Sequence, residues 1–150
     1  MDVESQKISL TDKLIETRNN NRTVNIVNRG VLETTTWSAI NELADLYATY
    51  FIEKKITLKT CAMIGKYSKD AFAQYVACLL TGNTGTLDLS AFKSLKTVYS
   101  INSSNFDILT ADGTETVNLD EALKNTKPNA EEIHNFAKAN VPFDYVSAYT

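Results

Sequence analysis

Trp37, Ile40, Leu43, Tyr47 and Phe51 recur at intervals of three and four residues, the spacing that lines side chains along one face of an α-helix. A stripe of large apolar residues over roughly five turns must be buried against something, so a helix-led core is the first expectation. Thr34, Thr35 and Thr36 offer caps at its start, and Lys54 and Lys55 suit its C-terminus, where the helix dipole favours cations. Five Gly and two Pro in 150 residues disfavour a turn-rich β sandwich, while eighteen Thr and fourteen Asn supply caps and polar turns.

The same reading extends outward from that helix. Residues 10–18 form a short candidate helix started by Ser9 or Thr11 and stopped by Asn19, Asn20 and Asn21. Residues 23–27 then alternate like a short strand, which Asn28, Arg29 and Gly30 break. Further helices are expected from Lys59 to Tyr67 with Cys61 and Ile64 inward, and from Lys69 to Leu80 behind Ser68, with Phe72, Val76 and Leu79 as the inward stripe. Another should start at Ser90 and carry Phe92, Leu95, Val98 and Tyr99. Asp120 can cap a short helix through Lys124, and Pro128 and Asn129 start one from Ala130, with Ile133 and Phe136 inward. Around the Ala111 to Thr114 turn signal, a hairpin is the local alternative. The expected fold is therefore all-α, six to seven short amphipathic helices with at most short β contacts. Residues 1–33 read as an N-terminal arm or helix and 34–150 as a single helical domain.

Net charge is −3, unevenly distributed: −3 over residues 1–53, +5 over 54–106 and −5 over 107–150. Lys54, Lys55, Lys59, Lys66 and Lys69 bracket one expected helix as a candidate basic patch, and Phe143, Tyr145 and Tyr149 make an apolar C-terminal end suited to docking on the fold or on a partner. Clustered cations suffice for sequence-independent phosphate contact, so single-stranded nucleic acid stays open, although the chain is acidic overall and carries no nucleic-acid motif. Cys61 and Cys78 read as buried thiols, with a disulfide as the alternative; thiols fit a reducing, intracellular, cytoplasmic setting.

Chemistry finds little to work with. His134 is the only histidine and reads as a surface residue, so no two-histidine metal site or His-assisted nucleophile is suggested. No dinucleotide, P-loop or nucleophile-elbow motif occurs, and no run is apolar and long enough to span a membrane. Expected cofactors are none, and the chain reads as a non-enzyme.

A self-comparison aligns residues 86–92 with 116–122 at a spacing of thirty: Thr86, Leu87, Asp88 and Leu89 match Thr116, Val117, Asn118 and Leu119, each before an expected helix start and after a Gly-containing loop. This pattern resembles the second half of an EF-hand. Residues 128–133 look like the start of the last entering helix of calmodulin and the myosin light chains, so the resemblance covers about residues 40–150. It implies loops without calcium. Ala91 stands where a terminal carboxylate is needed, and Glu115 replaces the turn glycine beside Thr110, Asp112, Thr114, Asn118 and Glu121. What it implies for function is a light-chain-like or adaptor module gripping a partner helix. The alternative from a different class is a self-assembling coat or nucleocapsid-like subunit, with nucleic acid along its basic middle.

Overall fold

The structure, a computed structural model, describes residues 9–61, 68–86, 97–100, 115–142 and 148–149. In chain order these form α1 (Leu10–Thr17), β1 (Thr23–Asn28), β2 (Val31–Thr36), α2 (Trp37–Glu53), β3 (Thr60–Cys61), α3 (Lys69–Leu80), β4 (Thr84–Thr86), β5 (Thr97–Ser100), β6 (Glu115–Asn118), α4 (Leu119–Leu123), α5 (Ala130–Asn140) and β7 (Ala148–Tyr149). β1 and β2 make an antiparallel hairpin, β3, β4 and β7 a parallel three-stranded sheet in that order, and β5 and β6 a parallel pair.

The all-α expectation is thereby overturned: the described residues hold five helices and seven short strands, a mixed α/β fold, and residues 34–150 carry strands as well as helices. Two segments explain the error. Val31–Thr36 is dominated by β-branched residues, which favour strands; only Thr36 caps α2, its hydroxyl accepting from the Ala39 N–H at 3.1 Å. Thr97, Val98, Tyr99 and Ser100 are extended and lie beside Glu115–Asn118, so the helical stripe through Val98 and Tyr99 fails. The helix expected from Lys59 begins instead with strand β3, and residues 62–67 lie outside the described residues. Asn118, not Asp120, caps α4.

The core is built on α2, α3 and α5. Ile40, Ala44, Tyr47 and Ala48 of α2 are sealed, with Ala73, Val76, Ala77 and Leu80 of α3 and Ile133 and Ala137 of α5. Trp37 and Leu43, both expected inward, are only half-buried at its margin. On α3, Val76 and Leu79 are buried as expected, but Phe72 is exposed along with Tyr75, and Ala73, Ala77 and Leu80 complete the buried face. On α5, Phe136 is half-buried while Ala137 is sealed. Cys78 is a buried thiol. Thr49, also buried, accepts from the Asn129 N–H at 3.1 Å and so docks the start of α5 onto the C-terminal half of α2.

Two helices end in the same hydrogen-bond motif. After α2, Ile56 N–H reaches back to the Phe51 carbonyl at 2.8 Å and Lys55 N–H to Ile52 at 3.1 Å; after α3, Asn83 N–H reaches Cys78 at 2.9 Å and Gly82 N–H reaches Leu79 at 3.4 Å. This Schellman closure needs a left-handed residue at its turn. Gly82 (φ 69) meets that need without a Cβ penalty, whereas Lys55 (φ 58) does not. Lys55→Gly is therefore expected to stabilise the protein by about 1 kcal/mol, read as a rise in the urea midpoint with unchanged slope. A fall would show that the lysine side chain contributes more than its backbone strain costs.

Candidate functional site

The hairpin formed by β1 and β2 turns through Arg29 (φ 50) and Gly30 (φ 80), both left-handed, which defines the tight two-residue turn compatible with strand twist. Its register pairs Asn28 with Val31, Val27 with Leu32, Ile26 with Glu33 and Asn25 with Thr34. Side chains alternate between the two faces. Ile26 points inward and is buried, while the opposite face carries Asn25, Thr34, Val27 and Leu32 into solvent. Thr34 Oγ1 donates to Asn25 Oδ1 at 3.0 Å on that face. At the tip, Val27 is 63% exposed, Val31 68% and Leu32 61%.

A cross-strand pair of apolar side chains in water, Val27 and Leu32, with Val31 exposed on the other face of the same narrow ribbon, differs from single exposed residues such as Leu10, which need no explanation. Both ribbon edges are open among the described strands. β1 has neither a charged residue nor a proline, the usual guards of an open edge. In a two-residue hairpin the ladder bonds join Asn28 with Val31, Ile26 with Glu33 and Val24 with Thr35, so the backbone groups of Thr23, Asn25 and Val27 face outward. The root of the hairpin is firm: Trp37 N–H donates to the Arg22 carbonyl at 2.9 Å and Ser38 N–H to Asn20 at 2.9 Å.

A second feature is a polar cluster joining three helices. Arg18, at the C-terminal end of α1, pairs through Nη2 with Asp45 of α2, and its Nη1 lies 2.7 Å from Nε2 of His134 on α5. Burial lowers the affinity of Arg18 for its proton. Burial first, then Arg18 and Lys138, hold the His134 imidazole below its ordinary value. His134 is therefore a half-buried, partnered residue and not the free surface histidine expected from sequence.

An open groove of about 480 Å³ lies between the C-terminal end of α2 and the start of α5, lined by Ile52, Asn129, Glu131, Glu132, Asn135 and Phe136. Only Ile52 and Phe136 are apolar, so it offers an amphipathic helix little to bind. Of the expected basic patch, Lys54 and Lys55 are exposed at the end of α2, and Lys59 is exposed just before β3. Lys69 begins α3, whose other end meets Leu58 through the Leu58 N–H to Thr81 carbonyl bond of 3.1 Å, so it stands roughly 18 Å along that helix from the loop lysines. Lys66, Phe143 and Tyr145 lie outside the described residues, and Tyr149 pairs its backbone with Thr86 in the parallel sheet.

Among the described residues no three His, Cys, Asp or Glu side chains gather where a metal could sit, and no helix is long and apolar enough to cross a membrane. The hairpin tip is the site that sequence reasoning missed. Its signal was the Arg29-Gly30 pair between two β-branched runs. The Arg18 to His134 contact spans 116 residues and has no local signal. Neither a scan against protein-family models nor a search of curated proteins finds a match for this chain.

Proposed function

We propose that the chain acts by protein contact and not by catalysis, as a self-associating subunit that pairs the open edge of β1 with a second copy. The observation that carries this is the unguarded edge of β1 beside the exposed Val27, Val31 and Leu32. An uncharged strand offers the same alternating donors and acceptors to its own copy, and two such strands related by a two-fold axis satisfy each other. The adaptor reading has less to support it, because the groove between α2 and α5 is mostly polar.

Magnitudes set the expected strength. Complete burial of a Val or Leu side chain contributes about 1.5–3 kcal/mol, so Val27 and Leu32, which share a face and are each roughly three-fifths exposed, offer about 2–4 kcal/mol from each copy. Association costs about 4–15 kcal/mol in lost freedom. The tip and the edge hydrogen bonds together therefore support weak, concentration-dependent association, in the micromolar to millimolar range. Light scattering should show the mean mass rising with concentration, and Val27→Lys, which places a charge on the exposed edge, should hold it at the monomer value without changing the melting temperature. A native chain that stays monomeric to millimolar concentration, or a Val27→Lys chain that associates equally well, would contradict the proposal.

A further inference from the structure

We propose that Arg18, Asp45 and His134 form a pH-sensitive clasp that ties α1 and the root of the hairpin to α2 and α5 at neutral pH and releases them on acidification. It does not depend on self-association. A guanidinium has donors and no acceptor, so an Arg18 Nη1 lying 2.7 Å from His134 Nε2 requires that nitrogen to present its lone pair, with the ring proton on Nδ1. A second proton on the ring would set N–H against N–H and bring two positive charges into contact. The bond exists only while His134 is neutral.

The surrounding charges reinforce that requirement. From α1 comes Arg18 itself, and Lys138 follows one turn on along α5; both disfavour the imidazolium, after burial. Asp45 of α2 is committed to the other amino group of Arg18. On α3, which also packs on α5, the charged residues Lys69 and Asp70 stand in the first turn, where Asp70 accepts from Tyr47. The sign follows: the folded state holds His134 below its unfolded value near 6.5, so the unfolded chain binds the proton more readily. The clasp is fully made above about pH 6.5 and is lost as pH falls below it.

What lets go is defined by the chain. With eight residues, α1 is too short to hold itself as a helix and depends on docking. It contributes only Leu14 and Thr11 as buried residues, so Arg18 is a large part of its attachment. Two residues beyond Arg18, the Asn20 carbonyl anchors the hairpin root through Ser38, so loosening passes directly to the hairpin.

Hydrogen exchange of the α1 amides, corrected for the intrinsic pH dependence and measured on dilute protein at pH 7.5 and 5.0, tests the clasp. Protection in α1 should fall about tenfold on acidification, the size of one lost charge-assisted hydrogen bond. In His134→Gln, whose amide oxygen accepts from Arg18 at every pH, that fall should vanish. Equal protection at both pH values, or a fall that persists in the Gln variant, would overturn the proposal. If the Gln variant does not fold, the native His134 ring resonances and the α1 amide resonances should titrate together with a midpoint below that of an unfolded histidine; α1 signals that ignore the ring titration would overturn it equally.

Discussion

Replacing Tyr47 with Ala is expected to lower the unfolding free energy by about 3–5 kcal/mol, a large share of the stability of a domain this size. Tyr47 is 1% exposed, at the centre of α2. Its ring centroid lies 6.5 Å from that of Phe51, and its hydroxyl donates to Asp70 Oδ1 at 3.1 Å across to α3. Truncation leaves an aromatic-sized void and strips the tie to α3. Tyr47→Phe keeps the ring and should cost only about 0.5–1.5 kcal/mol, because Asp70 is half-buried and water can replace the lost donor. Urea titration of both variants checks the ordering. Burial, and then Asp70, also push the Tyr47 hydroxyl well above its ordinary value of 10. The unfolded chain therefore gives up this proton first, and the associated stability is intact below about pH 10 and declines as pH rises above it. Phenolate absorbance from Tyr47 should appear only together with unfolding.

The second large effect is expected at Asn83. Its side chain is 2% exposed and links three otherwise separate groups: Oδ1 accepts from the Lys59 N–H at 3.0 Å, and Nδ2 donates to the Ile56 carbonyl at 2.8 Å and to Thr81 Oγ1 at 2.9 Å. These bonds fasten the loop after α2 against the end of α3, just where β3 and β4 begin their parallel pairing at Thr60 and Thr84. Asn83→Ala removes all three and leaves Thr81 buried and the half-buried Ile56 carbonyl without this donor, so about 3 kcal/mol should be lost. Asn83→Asp should be no better. A carboxylate still accepts from Lys59 N–H but turns an acceptor toward the Ile56 carbonyl. An Asp variant of native stability would show that the amide does not donate there.

The helices were legible because their information is local. The stripe Ile40, Tyr47 and Phe51 is buried as its spacing implies, and Ser9, Thr36, Ser68 and Asn129 each accept from a first-turn amide as the caps suggested. What sequence underweighted was small residues: Ala44, Ala48, Ala73 and Ala77 are sealed, yet carry little weight in a search for bulky stripes, which is why Phe72 was expected inward beside Val76 and Leu79 where Ala73 and Ala77 fill the face. The strands were illegible for the opposite reason. β3, β4 and β7 hold two or three residues each, and their parallel partners lie 24 and 63 positions away, so no alternation develops within any one of them. The hairpin was the exception, since Arg29 and Gly30 mark its turn, but three consecutive threonines before an apolar helix also read as caps. For the site, charge counts directed attention to the lysines, whereas the exposed apolar tip lay in a segment read as an arm.

The most direct measurement on the self-association proposal is amide exchange at Asn25 and Val27, whose N–H groups face outward from the edge of β1 by the hairpin register and meet no partner among the described strands. If a second copy pairs with that edge, their exchange should slow as protein concentration rises from micromolar toward millimolar, while the already paired Ile26 amide changes little. Exchange at Asn25 and Val27 that stays the same across that range would contradict pairing at this edge.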